Sequence, residues 1–182
     1  MNNWPEWQKT YRYGTLVILP PKHIREAIDK LRHQYDPASQ IICGAHITLT
    51  QPFLNQPSDN DLEQLEIIAS GYKSFSIQFG PLNNFLPYPC IYYEIHPADK
   101  ILEIRHAMHG TGMFNLSLPH TEDFVPHLSI TDGHPDPTLT QEIFDELSQT
   151  TSGGSFECSE ISLIVPNQSF YFESVRTLRL RF

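Results

Sequence analysis

The sequence predicts an α+β protein made of two similar halves, and three observations support this prediction. Segments with the apolar spacing of strands alternate with segments with the spacing of helices along the 182 residues. The order strand, helix, strand occurs twice. Each copy contains the same four-residue pattern at a comparable position. We therefore expect one two-lobed domain over residues 1–182, formed by an internal duplication with halves at roughly 13–80 and 90–182.

The first half begins with a strand, a helix and a second strand. Residues 15–19 form a short apolar run that ends at two prolines, which is typical of a buried strand. Apolar residues then recur at helical spacing over 24–35, until Asp36-Pro37 ends the pattern. The run 45–50 alternates apolar and polar residues and predicts the next strand.

A second helix and a third strand complete this half. Ser58 and Asp61 have the spacing of a helix N-cap, and Gly71 is placed to end the helix. Residues 75–79 alternate between apolar and polar, which predicts a strand with one buried face.

The same order recurs in the second half. Proline at position 137 follows an N-cap residue, Asp136, and opens a helix that extends through Leu147. The predicted strands are 91–95, 124–130, 156–165 and 170–182, and the apolar spacing of 101–108 predicts a helix between the first two.

The repeated pattern is His-apolar-hydroxyl-apolar. The first tetrad is His46-Ile47-Thr48-Leu49 and the second is His127-Leu128-Ser129-Ile130, 81 positions later. In a strand, residues i and i+2 point to the same face. Each tetrad therefore presents an imidazole and a hydroxyl on one side and anchors apolar residues on the other. Two such strands facing each other across a cleft would surround one small anion.

The charge and the apolar content restrict the classes of partner. The formal charge is −9, and no basic run is present that could displace the counterions of long nucleic acid. This favours a small phosphorylated ligand or one RNA end over an extended duplex. No run of eighteen apolar residues predicts a membrane span. Three cysteines outside any C-x-x-C pattern indicate a cytoplasmic protein with reduced thiols, and we expect a monomer.

Two opposed histidines can act as an acid–base pair without a metal or a covalent intermediate. One neutral imidazole accepts a proton from water or a ribose hydroxyl, and the other, protonated, donates one to the departing oxygen. The neighbouring hydroxyls can donate hydrogen bonds to the phosphate oxygens, where charge must be held in the transition state. Linear and cyclic phosphodiesters are the natural substrates of such a site.

The paired tetrads, about 80 residues apart in a duplicated α+β chain, resemble those of the two-histidine (2H) phosphoesterase superfamily. The branch with bacterial 2′-5′ RNA ligases and RNA cyclic phosphodiesterases is the most similar. The resemblance implies two pseudo-symmetric lobes with mostly antiparallel sheets, flanked by helices, around a central cleft. It implies that the catalytic residues are His46, Thr48, His127 and Ser129, that no cofactor is needed, and that cyclic phosphates or 2′-5′ linkages are opened, with 2′-5′ joining as the reverse reaction.

The residues after the tetrads differ from some members of this family, which carry a basic residue there that contacts phosphate. Because neither tetrad is followed by one here, we expect hydrolysis of a small cyclic phosphate more than RNA-end joining. His134 or Arg176 could supply the missing positive charge. Phe53 and Phe124 lie near the tetrads and could stack on a base.

Two alternatives remain open at the level of sequence. A divalent-metal hydrolase could be centred on the histidines and aspartates of the second half, although His106 and His109 are also typical of a polar helix face. A non-catalytic module could instead bind a nucleotide or RNA end in the same cleft. The N-terminal Trp4 and Trp7 could cap the fold or contact a partner.

Overall fold

In the computed structural model, which describes residues 4–133 and 137–182, eight strands form one antiparallel sheet. The strands are β1 (Thr15–Ile18), β2 (Ile47–Thr48), β3 (Phe75–Asn84), β4 (Ile91–His96), β5 (His127–Thr131), β6 (Gly154–Cys158), β7 (Glu160–Pro166) and β8 (Phe172–Arg179). The helices are α1 (Glu6–Thr10), α2 (Lys22–Tyr35), α3 (Pro37–Gln40), α4 (Asp59–Ser70), α5 (Ala98–His109) and α6 (Pro137–Thr150). The predicted α+β class is confirmed.

The sheet has a pseudo-two-fold arrangement about its centre. The strand order is β6-β3-β4-β5-β2-β1-β7-β8, so one lobe contains β2, β1, β7 and β8 and the other contains β5, β4, β3 and β6. Each lobe therefore receives strands from both halves of the sequence. A bridge between Lys73 and Arg181 joins the start of β3 to the chain just beyond β8, so the sheet curls until its two lobes meet again.

One face of the sheet packs against the helices and forms the core. The apolar positions of the strands meet the apolar faces of α2, α4 and α5 there, and burial of this surface is the main term that stabilises the fold. Fully buried members of this core include Leu16, Ile18, Ile47, Leu49, Leu65, Ile77, Ile91, Ile101, Leu128 and Ile130.

The helix boundaries follow local signals in the sequence. Ser58 and Asp61 form a reciprocal capping box at the start of α4, as predicted, and Gly71 is the C-cap residue. An N-cap of this type stabilises a helix by about 1 kcal/mol. The same apolar spacing that predicted α5 places Ile101, Ile104 and Met108 in the core.

The strands that carry the tetrads are shorter than predicted, for physical reasons. Strand β5 begins directly after Pro126, which has no backbone N–H to give to a ladder. Before β2, the backbone N–H of Ala45 donates to the carboxylate of Asp29 at 2.7 Å instead of to a neighbouring strand.

The predicted strand 156–165 is divided, because its two parts pair with different lobes. Strand β6 pairs with β3, and after Ser159 strand β7 pairs with β1. None of the helices in residues 4–133 and 137–182 is long and apolar enough to cross a membrane.

The N-terminal tryptophans pack on the β7–β8 turn. Trp4 is 8% exposed, its indole N–H donates to the carbonyl of Gln168, and its ring meets Phe170 edge to face at 5.0 Å. Trp7 contacts the same phenyl ring but is 55% exposed. Trp4 therefore caps the fold, while most of Trp7 remains accessible.

Candidate active site

The two tetrads lie on neighbouring strands at the centre of the sheet. Ile47 in β2 pairs with Leu128 in β5, and this antiparallel pair marks the pseudo-two-fold axis. Both side chains are fully buried on the core face. The tetrads therefore lie on adjacent strands of one curled sheet, whereas the sequence predicts two strands that face each other across a cleft.

This register determines where the polar residues lie. In an antiparallel ladder, the residues on either side of a pair oppose each other, and they share the opposite face. His46 is thus placed across from Ser129, and Thr48 across from His127. The two histidines occupy diagonal positions, with Cα atoms roughly 8 Å apart by strand geometry. The four side chains predicted to be catalytic share one face, where each is partly exposed.

Both imidazoles are held in the same way by a backbone carbonyl two residues earlier. His46 Nδ1 lies 2.8 Å from the oxygen of Gly44, and His127 Nδ1 lies 2.7 Å from that of Val125. A carbonyl oxygen can only accept, so each Nδ1 carries the hydrogen. The Nε2 atom of each ring is then left to exchange protons with a ligand.

Burial lowers the pKa of both imidazoles, since it penalises the charged form. The carbonyl contacts of the Nδ1 atoms oppose this effect in both rings. The positive charge of Arg32 lowers the pKa of His46 further. The carboxylate of Asp132 raises the pKa of His127, and His46 lowers it. Both rings are therefore predominantly neutral at neutral pH in the unliganded protein.

The two hydroxyls differ in their contacts. The thiol of Cys90 lies 3.8 Å from Ser129 Oγ, toward which it donates. The hydroxyl of Thr48 has no side-chain hydrogen bond within the part of the chain that the structure describes. Both hydroxyls are therefore able to donate to an oxygen of a bound ligand.

Three aromatic rings surround the His127 imidazole. Phe85 and Tyr92 meet it edge to face, with ring centroids 5.2 and 5.4 Å away, and stack on each other at 4.1 Å. Phe124 lies 6.2 Å from the same ring. Neither Phe85 nor Tyr92 is among the site residues predicted from the sequence. Tyr92 could have been found from the alternation in 91–95, which puts it on the face opposite the core.

Asp132 is the acidic residue whose charge acts on the two histidines. The backbone N–H of Asp132 donates to Asp36 Oδ2 at 2.7 Å, and the hydroxyl of Tyr88 donates to Asp132 Oδ1 at 3.0 Å. Its charge acts on both His46 and His127. Asp132 occupies the segment directly after the second tetrad.

The residues predicted to bind substrate have separate locations. Phe124 lies beside His127. Phe53 is 2% exposed and packs on Phe114 at 4.4 Å, so it is not available for stacking on a base in this arrangement. Arg176 is paired with Glu66 of α4 at 3.0 Å, on the core side of the sheet and away from the histidines. His134 lies outside the described residues.

A different arginine lines a cavity beside the first tetrad. The cavity has a volume of about 260 Å³ and is bounded by α2, by the Cys43–Ala45 segment and by the start of β8. The Arg25 Nε atom is buried, and no hydrogen-bond partner for it is present among the described residues. Asp29 and Glu173 also line the cavity. Arg25 was missed because nothing in the sequence connects α2 with the tetrad.

The metal alternative rested on histidines and carboxylates of the second half. Among residues 4–133 and 137–182, no group of three or more histidine, cysteine, aspartate or glutamate side chains is arranged to hold a metal ion. His106 is exposed, as a polar helix face predicts. That prediction is wrong for His109, which is 9% exposed and accepts a hydrogen bond from the backbone N–H of Gln51 at 3.0 Å.

Comparison with known proteins finds related sequences and similar folds. Residues 20–169 match the model of the 2′-5′ RNA ligase superfamily. A Bacillus cereus G9842 protein named "Putative phosphoesterase" is 32% identical over 123 residues, which are 65% of this chain and 68% of the relative. A Bacillus thuringiensis Al Hakam protein of the same description is 33% identical over the same shares.

Solved structures of LigT from Escherichia coli have a similar fold. The complex with NADP+ aligns with a TM-score of 0.58 and 15% identity, over 94% of this chain and 98% of LigT. The complex with 3′-AMP aligns with a TM-score of 0.59 and 16% identity, over 93% and 98%. The match of the family model over most of the chain shows that this protein belongs to the 2′-5′ RNA ligase superfamily of phosphoesterases.

Proposed function

We propose that this protein is a metal-independent phosphodiesterase that hydrolyses a 2′,3′-cyclic or 1″,2″-cyclic phosphate, or a 2′-5′ linkage, in a nucleotide or RNA end. The observation that carries the proposal is the register of the two tetrads. In this register the two imidazoles and the two hydroxyls share one face of the sheet, and the contacts of the Nδ1 atoms with backbone carbonyls leave each Nε2 available to a ligand.

The chemistry requires the two histidines to be in different protonation states. One Nε2 accepts the proton of a water molecule as its oxygen bonds to phosphorus. The other Nε2–H gives its proton to the ribose oxygen as the P–O bond breaks. Thr48 and Ser129 donate to the non-bridging oxygens, where negative charge increases in the transition state. With a ribose hydroxyl in place of water as the nucleophile, the same two proton transfers would join a cyclic phosphate to that hydroxyl, and the ribose oxygen of the ring would leave as before.

Binding of an anionic substrate would bring the two histidines into different protonation states. Both imidazoles are mainly neutral in the unliganded protein, because burial lowers their pKa. A phosphodiester anion placed between them favours protonation of one ring. The LigT complexes with 3′-AMP, NADP+ and ATP are consistent with a small nucleotide as the ligand class.

The decisive experiment compares His46→Ala, His127→Ala and the exposed control His106→Ala on the four 2′,3′-cyclic nucleotides in the presence of EDTA. Each of the first two substitutions should lower kcat by about 10²–10⁴-fold, while the control retains wild-type kcat. Near-normal turnover in either tetrad variant would contradict the acid–base roles.

Two further outcomes would favour the alternatives. Activity that is lost in EDTA and restored by a divalent ion would indicate a metal-dependent hydrolase. Binding of the nucleotides by calorimetry without turnover of any cyclic phosphate, RNA end or 2′-5′ dinucleotide would indicate a binding module.

A further inference from the structure

A buried arginine on α2 contacts the strand of the second tetrad. Arg32 is 4% exposed, and its Nη1 donates to the carbonyl of Ser129 at 2.9 Å. Its Nη2 donates to the carbonyl of Cys43 at 3.1 Å, three residues before His46. One guanidinium therefore connects the backbones of both tetrad segments.

A second buried arginine on α5 makes the reciprocal contact. Arg105 is also 4% exposed, and its Nη1 donates to the carbonyl of Leu49, the last residue of the first tetrad, at 2.8 Å. Its Nη2 lies 3.3 Å from the carbonyl of His120 in its own half. The guanidinium also lies 4.0 Å above the ring of Phe124.

The two contacts are related by the pseudo-two-fold axis. In each half, the arginine belongs to the helix between the first strand of that half and the tetrad, which is α2 after β1 and α5 after β4. Each arginine donates to a backbone carbonyl in the tetrad of the other half. The planar fork of an arginine can bind two carbonyl oxygens at once, whereas the point charge of a lysine cannot do so with the same geometry. These contacts cross the β2–β5 junction, where β2 is only two residues long.

We propose that Arg32 and Arg105 are positioning residues that fix the two tetrads relative to each other across the β2–β5 junction. This proposal rests on the proposed function and identifies what holds its catalytic groups at their working separation. Neither arginine is required to touch substrate. Because a displacement of about 1 Å in a catalytic group can lower the rate by about 10²-fold, loosening this junction should act mainly on kcat.

The two arginines differ in their effect on the pKa of His46. Five charged or titratable groups face His46 from the elements around it: Arg32 and Asp29 from α2, Cys43 from the segment before the first tetrad, His127 from β5 and Asp132 from the segment after β5. Arg32 lowers the pKa of His46, whereas Arg105 acts on His109 and not on the pair. Arg32→Lys keeps the positive charge but loses the planar guanidinium. It therefore separates the positioning role of Arg32 from its electrostatic effect on the pKa of His46.

The test uses Arg32→Lys, Arg32→Met and Arg105→Lys in the full chain, with the exposed Lys30→Met on α2 as control. In Arg32→Lys, kcat on a 2′,3′-cyclic nucleotide should fall roughly 10- to 100-fold with KM changed less than about two-fold. In Arg105→Lys, kcat should fall similarly. NMR titration of the imidazoles should find the His46 pKa raised in Arg32→Met and unchanged in Arg32→Lys and Arg105→Lys.

Wild-type kcat in Arg32→Lys or Arg105→Lys would overturn the positioning role, and an unchanged His46 pKa in Arg32→Met would overturn the electrostatic one. If Arg32→Met does not fold, the two lysine variants still decide the first point. The NMR measurement needs no turnover. If the wild-type protein hydrolyses no phosphodiester, the Nδ1–H signals of His46 and His127 decide instead: both should lose protection from solvent exchange in the lysine variants, and retained protection would overturn the inference.

Discussion

The Nδ1 atom of His46 lies 2.8 Å from the carbonyl oxygen of Gly44, two residues earlier in the chain. The second tetrad repeats this relationship between His127 and Val125. Such a contact fixes both the tautomer and the orientation of a ring, and in the first tetrad the sulfur of Cys43 also lies 3.3 Å from the same Nδ1. The protein thereby presents two equivalent Nε2 atoms, and only the surroundings distinguish the acid from the base.

The pH dependence of kcat/KM should reflect the lowered pKa of both rings. The active form carries one proton on the pair, so its population is greatest between the two pKa values of the free protein. Because burial lowers both below 6.5, kcat/KM should peak on the acid side of 6.5 and fall as the pH rises above the higher pKa. The measurement is kcat/KM over pH ~4.5 to ~8.5. An optimum above neutrality would contradict it.

The pH optimum of kcat should be higher than the pH optimum of kcat/KM. Bound phosphodiester favours the protonated form of a neighbouring imidazole and so raises its pKa in the complex. Coincident profiles would indicate that the phosphate does not sit between the rings.

The sequence was sufficient to predict the tetrads because their chemistry depends on local spacing. In a strand, residues two apart share a face whatever the rest of the fold does, and His46 with Thr48 obeys this rule even though β2 is very short. The capping box of Ser58 and Asp61 was likewise predictable from four consecutive positions.

The surroundings of the pair could not be predicted, because they depend on long-range pairing. Strand β3 of the first half pairs with β6 of the second, and β7 of the second half pairs with β1 of the first. These pairings bring distant segments together, and nothing in the sequence indicates which strands will be neighbours. Arg32 reaches Ser129 across 97 positions. Phe53 follows the first tetrad closely, yet it packs on Phe114, because the two residues form a bridge outside the main strands.

Loss of the Thr48 hydroxyl should lower kcat and leave the fold intact. Thr48→Val keeps the branched shape in β2 but removes the donor to a phosphate oxygen, and loss of one such donor costs about 10²–10³ in kcat. Ser129→Ala should have an effect of similar size. Steady-state kinetics on a 2′,3′-cyclic nucleotide tests both variants, and Thr177→Val on exposed β8 is the matched control. A rate within about two-fold of wild type in Thr48→Val would exclude its role as a donor.

Arg25 should contribute to substrate binding rather than to the chemical step. It lines the cavity beside the Cys43–Ala45 segment with a buried Nε that lacks a partner among the described residues. Arg25→Ala should raise KM for a nucleotide with an additional phosphate by about ten-fold, since charge-assisted hydrogen bonds to phosphate are strong, and leave kcat nearly unchanged. Lys22→Ala, on the same helix with its side chain 82% exposed, is the control. Equal KM values in both variants would contradict the prediction.

His109 should make the folded protein less stable in acid. Burial, together with the smaller effects of the charges of Arg105 and His106, lowers its pKa from 6.5 to about 4. Above pH 6.5 the ring is neutral in both the folded and the unfolded chain, so the stabilising effect is complete. As the pH falls from 6.5 toward 4, the unfolded chain binds a proton that the folded chain excludes, and stability is lost.

The expected loss between pH ~7.5 and ~5 is about 2 kcal/mol in the free energy of unfolding. His109→Gln should remove most of this dependence, because its amide oxygen can accept the Gln51 N–H in place of Nε2 and does not titrate in this range. Urea unfolding at the two pH values measures the difference, with the exposed His23→Gln on α2 as control. If wild type and His109→Gln lose stability in parallel, the His109 ring is already able to take up a proton in the folded state, and its contact with Gln51 does not hold it neutral.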